Sequence, residues 1–339
     1  MPGSDHPVAI GALRVLGNSC VPMVAVLFKP FSEKALTEFG PRGRALQDPV
    51  NIVFAQGRAR QAVYAFSGRR LRMGAITRIA WCDATFNPWV GCLRVSTACD
   101  RCYAAGLSWR YGWRDGKGRD LWDVSADRKR TSSAYWRGPL RWSERAQAEG
   151  TRRRVFCASM ADVFDNKVPT PWRVDLWSLI RSTPALDWFL LTKRPQNIRD
   201  MLPTDWGEGW PHVWLGTTTE NQEEANRRIP HLVAISAAFR FLSVEPMLEP
   251  VDVALWLVLP SHDGRAPISW IIVGGESGGG ARPMHPDWVR GLRDQVRAAG
   301  AKLFVKQIGS NHALWPSVSG KGEDPAQWPA DLRVQEFPQ

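Results

Sequence analysis

The sequence predicts an α/β protein: a (β/α) barrel, full or partial, with a basic Trp-rich insertion after its first β/α unit. Three observations carry that reading. Short apolar runs of strand composition alternate with amphipathic stretches over about 230 residues, the length of a (β/α) barrel. The runs are nearly continuous in apolarity, as strands covered on both faces of a parallel sheet are. Almost every run also ends in polar or charged residues, and barrel enzymes assemble their sites from that one rim. A doubly wound open sheet shares the first two features. The third favours the barrel.

The chain begins with a stretch of different character. Residues 1–73 mix Gly, Pro, Arg and Ala without a sustained period of 2 or 3.6. The basic clusters Arg58–Arg60 and Arg69–Arg72 lie on no helical face. This part reads as a poorly ordered basic extension, and Met73, just before the first apolar run, would serve as a start in its own right.

The barrel domain is expected over residues 74–312, followed by a C-terminal tail over 313–339. Its strand candidates are Ile76–Cys82, Arg154–Ser159, Trp188–Arg194, Val213–Glu220, Phe239–Pro246, Trp270–Ser277 and Lys302–Gln307. Their β-branched and aromatic content, and their length, say strand. Helices are expected over Pro171–Ser182, Glu220–Ile229 and His285–Gly300. The last has Pro286 where an early turn tolerates it and Gly300 as a stop. The strand ends deliver Ser159 and Asp162, then Thr192, Lys193 and Arg194, then Thr217, Thr219 and Glu220. Ser243 and Glu245, Glu276 and Ser277, and Lys306 and Gln307 complete the rim.

The insertion, residues 104–153, interleaves Arg with Trp. Cations for phosphates and flat rings for bases are what a nucleic acid requires, so a nucleic-acid partner is expected here. The alternative is a packed insertion whose Trp residues are anchors and whose Arg stems cover apolar surface. The chain's formal charge of +11 points to an anionic partner. No run of 18 uncharged apolar residues occurs, and the short patch Val21–Phe28 lacks a charged start and cleavage site. A cytoplasmic protein without a membrane partner is expected.

Four of the six cysteines, Cys82, Cys92, Cys99 and Cys102, fall within one short stretch. Cys92, Cys99 and Cys102 make a C-x6-C-x2-C run, whose two-residue spacer lets both sulfurs face one centre. Thiols gathered in a reducing compartment point to zinc or an iron–sulfur cluster and away from disulfides. Three ligands would leave one iron of a [4Fe-4S] cluster open. Cys82 as a fourth would suit zinc or a closed cluster. Cys20 and Cys157 are isolated, and the six histidines show no metal spacing.

The order of segments resembles a phage-associated and bacterial family of unassigned function that carries a three-cysteine motif. The resemblance rests on Trp81, Asp83-Ala84-Thr85, Asn87-Pro88, Gly91-Cys92, Ala98-Cys99 and Cys102-Tyr103-Ala104. Later blocks follow in the same order: Ser159 to Phe164, Leu191 to Pro195, Leu215-Gly216 with Glu220-Asn221, Ser243 to Pro246, Gly274 to Gly278 with Arg282-Pro283, and Lys306-Gln307. It covers residues 74–309. That family is in turn similar to radical S-adenosylmethionine barrels. The resemblance implies a [4Fe-4S] cluster on Cys92, Cys99 and Cys102, with S-adenosylmethionine on the open iron. Its cleavage would start radical chemistry on an unspecified substrate, a nucleotide or nucleic acid among the candidates. Cys82, where the family often has Thr, is then no ligand.

On that reading Gly274 and Gly275 allow close approach of the cofactor and Glu276 accepts from its ammonium group. Ser277, Thr217 and Glu220 join the cofactor site. Glu245 and Lys193 are the candidate catalytic residues, for proton transfer and for binding a carboxylate or phosphate. The competing reading is a zinc-stabilised nucleic-acid-binding protein without catalytic activity, built on four cysteines, the basic insertion and the net charge.

Overall fold

The computed structural model describes residues 77–260, 263–265 and 267–338. The expectations of a poorly ordered extension over 1–73 and of a start at Met73 lie outside the described residues, and so does Cys20.

In chain order the elements are β1 (Ala84–Phe86), β2 (Trp89–Val90), α1 (Tyr103–Arg110), β3 (Lys129–Arg130), α2 (Ser133–Trp136), α3 (Gly138–Ala148) and β4 (Arg153–Cys157). Then come α4 (Thr170–Arg181), β5 (Leu186–Thr192), α5 (Ile198–Met201), β6 (Val213–Thr218), α6 (Gln222–Val233), β7 (Phe239–Val244), α7 (Ala254–Val258), β8 (Trp270–Gly274), α8 (Pro286–Ala298) and β9 (Lys302–Gln307). Seven strands form one parallel sheet in the order β1-β4-β5-β6-β7-β8-β9, and β2 pairs with β3 in a small antiparallel ribbon. Strand order that follows chain order, with a helix in most crossovers, is barrel topology; a doubly wound sheet reverses direction partway.

The sheet curls around its own aromatic side chains. Alternate residues Phe156, Phe189, Trp214, Phe241, Trp270 and Phe304 share one inner cluster. The indole of Trp81 lies among them, with ring centroids 4.7 Å from Phe156, 5.7 Å from Phe189 and 6.2 Å from Trp270. One side chain touching rings from separated strands requires a curved sheet, so this is a partial (β/α) barrel. The opposite parity, including Val155, Leu190, Leu215, Leu242 and Val273, packs under the helices as the larger core. Those helices carry the expected signals. α8 starts at a His285 cap with Pro286 in its first turn, and Asn221 caps α6 by accepting from the Glu224 amide.

One strand is displaced from its expected place. The described part of Ile76–Cys82 is not strand: the Cys82 amide donates to the Ile79 carbonyl at 3.2 Å in a turn, and β1 follows at Ala84. The apolar run is spent on the interior, where Trp81 and Cys82 are buried in the aromatic cluster. At the other end of the chain, residues 334–336 run antiparallel to β9, with the Val305 amide donating to Val334 at 2.8 Å and the Glu336 amide to Leu303 at 2.9 Å. Among the described residues no helix is long and apolar enough to cross a membrane.

Candidate metal centre and barrel interior

The chain leaves β2 at Gly91 and crosses the C-terminal rim of the sheet before entering α1. Gly91 is needed for its backbone: its φ is +112°, and a Cβ there would meet the Leu121 carbonyl at 2.8 Å. The three cysteines of the motif lie on this crossing. Cys92 follows Gly91, Cys99 ends a short 3-10 turn (Thr97–Cys99), and Cys102 caps α1. All three are half-buried.

The rim grips this loop nearly residue by residue. Arg194, just past β5, donates to the Cys92 sulfur at 3.6 Å and to the Leu93 carbonyl at 3.0 Å. Asp162 aims that guanidinium by accepting from it at 2.9 Å, and it also collects the Thr192 hydroxyl at 2.8 Å. Glu220, past β6 and fully buried, accepts from the Ser96 hydroxyl and from the Ala98 amide at 3.3 Å. Its other oxygen accepts from Arg228 of α6 at 2.8 Å. Arg282, past β8, donates to the Thr97 carbonyl at 3.0 Å while paired with Glu276. Three buried carboxylates thus hold the cysteine loop, directly or through arginine.

The charges follow from this packing. Burial raises the Glu220 carboxyl, but Arg228 and the Ser96 hydroxyl outweigh it, and the group ends below its ordinary range. Glu276 behaves alike: desolvation is overcome by the Arg282 hydrogen bonds. The Cys92 thiol goes the other way, pushed up to about 11 mainly by burial, then by the charge of Asp162.

Below the loop the inner face of the sheet is polar. Lys306 of β9 pairs with Glu245 at 2.5 Å, and Gln307 donates to the Glu245 carboxylate at 3.4 Å and to the Ser277 hydroxyl at 2.6 Å. Lys193 reaches the Thr218 hydroxyl at 3.3 Å. Tyr103, the residue after Cys102, donates to the Ser159 carbonyl at 2.6 Å yet keeps 52 % of its surface open. The crowding that raises its phenol comes first from burial, then from the charges of Cys102 and Glu245. Tyr103, Glu245 and Lys306 each keep part of their side chain open to solvent, so the inner layer at the rim forms a hollow that solvent reaches. The hollow opens at the rim and is floored by the aromatic cluster.

The structure therefore brings Glu245, Lys193, Gly274 and Ser277 to this hollow, and it gives several expected cofactor residues other partners. Thr217 donates to the Thr192 carbonyl at 2.9 Å, a tie between strands. Beside Gly274 stands the Glu245 carboxylate, 3.3 Å from where a Cβ would be. A Cβ on Gly275 would overlap the Ile308 carbonyl oxygen. Glu276 and Glu220 face arginines. Sequence reasoning missed Ser96, Arg228 and the reach of Arg282. One signal was present: Glu224 and Arg228, on the buried face of α6, continue a four-residue spacing from Glu220 just ahead of the helix.

Cys82 belongs to the aromatic floor, its thiol directed at the Ile79 carbonyl 3.9 Å away and pushed up to about 12 mainly by burial. Cys102 packs instead with Val90, Ala104, Leu121 and Met160. Among the described residues no three His, Cys, Asp or Glu side chains already converge as a metal cage. The donor set, three thiols on one short anchored span, is of the kind that holds a soft metal centre.

In the insertion, cations are largely matched by the chain's own acids: Arg119 with Asp115 at 2.6 Å, Arg128 with Asp165 at 2.6 Å, Arg130 with Asp175 at 2.7 Å. Of the eighteen Trp residues only Trp109 is exposed.

Searches of the curated proteins and of the solved structures return no significant match. A family model does match, over residues 76–328, a span that includes the cysteine loop and all seven strands of the sheet. The chain belongs to the family described as Protein of unknown function (DUF5131).

Proposed function

We propose that the chain is an iron–sulfur enzyme of radical S-adenosylmethionine type, with a [4Fe-4S] cluster on Cys92, Cys99 and Cys102. One observation carries this reading: three thiols are held on one loop at the open rim of a partial barrel, and Cys82, the fourth cysteine of the stretch, lies apart from them. Cys82 is occupied in the aromatic floor. The carboxylates bordering the loop, Asp162, Glu220 and Glu276, each pair with an arginine. A centre held by those three thiols alone would keep a free coordination position, as a cluster that takes a ligand requires. When bound, the cluster would supply the electron that cleaves S-adenosylmethionine and so starts radical chemistry.

The chain's own residues do the rest. The aromatic floor closes the hollow from below, so a bound molecule enters from the rim and is shielded from bulk water. Lys306 orients the Glu245 carboxylate from 2.5 Å away, which makes Glu245 the candidate for proton transfer to or from a bound molecule. Arg194, Glu220 and Arg282 hold the loop backbone at the rim, so that bringing the three thiols onto one centre would be a local adjustment of the loop.

The test is anaerobic purification with iron and sulfide analysis, before and after Cys99→Ala. About four irons and four sulfides per chain, lost in the variant, are expected. Dithionite and S-adenosylmethionine should then yield 5′-deoxyadenosine. One zinc and no sulfide would end this reading and favour the zinc-stabilised nucleic-acid-binding protein.

A further inference from the structure

The polar layer of the hollow holds one lysine that makes no ion pair among the described residues. The two lysines of the layer differ in this respect. Lys306 is neutralised by Glu245 at 2.5 Å. Lys193 reaches only the Thr218 hydroxyl, at 3.3 Å, and among the described residues no carboxylate lies within ion-pair distance of its ammonium group. The nearby acids are already engaged. Asp162 serves Arg194, and Glu220 serves Arg228 and the cysteine loop.

Lys193 is half-buried, and its place in the fold is fixed by alternation. Phe189 and Leu191 of β5 face the inner cluster, and the next residue of that parity is Lys193. On β6 the same parity runs through Trp214 to Thr218, its hydrogen-bond partner. The ammonium group therefore stands above the aromatic floor and below the cysteine loop. Glu220 feels the charge of Lys193 but is itself held by Arg228, so a half-buried cation with no ion pair of its own is left for the charge of a ligand.

We propose that Lys193 is the anchor of an oxyanion site, the place where a carboxylate or phosphate of a bound molecule is held inside the barrel. The site is built by β5 and β6 and exists whether or not a cluster is bound to the cysteines. It assigns the hollow to anionic ligands. Thr218 orients the ammonium group, and Glu245, already paired with Lys306, does not compete for it.

The test compares thermal midpoints of the full chain, Lys193→Met and Lys306→Met in low-salt buffer. Inorganic phosphate or succinate is then added, with chloride at matched ionic strength as control. Without an oxyanion, Lys193→Met should melt at or above the wild type, because the unmatched cation is gone. Lys306→Met should melt lower, because it strands Glu245. An oxyanion should raise the wild-type midpoint by roughly 2 °C or more and leave Lys193→Met unmoved. A response to phosphate alone assigns a phosphate, and one to succinate alone a carboxylate. The proposal is overturned if Lys193→Met melts as low as Lys306→Met. It is equally overturned if neither anion raises the wild type beyond chloride, or if both proteins respond alike.

Discussion

Glu276 shows how far a side chain's chemistry depends on its neighbour. On the resemblance it would accept from a ligand's ammonium group; in the fold it accepts from Arg282 through side chain and backbone, with the Arg282 amide at 2.8 Å. Its carboxyl lies below the ordinary glutamate value of 4.5, the hydrogen bonds overcoming desolvation. The unfolded chain then takes up the proton more readily than the folded one. The stabilisation is fully present above about pH 4.5 and is lost as pH falls through the lower, folded value. Glu220 shifts in the same direction. The wild-type thermal midpoint, followed from pH 7 down to about pH 3, should therefore fall steeply once below the glutamate range. Glu276→Gln should melt lower than wild type at pH 7 and lose part of that acid limb. An acid limb identical in both proteins would show that the Arg282 pair is not what ionisation protects.

At the scale of elements, strand rhythm is legible in the sequence wherever a strand is covered on both faces. β9 has the expected bounds, Lys302–Gln307, and β4 to β8 each begin within a few residues of their expected starts. The first strand is displaced because apolarity marks burial and does not say what a residue is buried by. Ile79, Trp81 and Cys82 are apolar because they enter the barrel's interior, and the strand itself is the short Ala84–Phe86. The cysteine loop was legible as a motif, but its anchoring was not. Ser96 and Glu220 are 124 residues apart, and no local pattern announces such a bond. Gly275 belongs to the same lesson. A glycine after a strand allows something to come close, and here it is the chain itself: an added Cβ would overlap the Ile308 carbonyl. Gly275→Ala should destabilise by about 1–3 kcal/mol in urea unfolding, since backbone must move to admit a methyl group. A cost below about 0.5 kcal/mol would mean that the β8 and β9 ends part easily.

For the whole molecule the open question of a partial barrel is how it closes. β1 and β9 are the two edges of the sheet, and an edge with unpaired amides invites association. The chain covers one edge with itself: residues 334–336 pair along β9. Phe337 then turns inward, with ring centroids 5.3 Å from Trp270 and 5.2 Å from Phe304. The Arg154 guanidinium of β4 lies 4.2 Å from the Phe337 ring centroid, and Arg154 is also paired with Asp83 at 3.1 Å. One phenyl ring thus links β9 and β8 to β4 across the open side of the barrel, beside the Trp81 plug. Phe337→Ala should lower stability by about 1–3 kcal/mol, less than for a fully buried phenylalanine because the ring is half-buried. Deleting residues 334–338 should cost more and also make the protein self-associate, read by light scattering, because it bares the β9 edge. If the deletion leaves both the urea midpoint and the scattering unchanged, the floor is held by Trp81 alone and the C-terminal segment is only a cover.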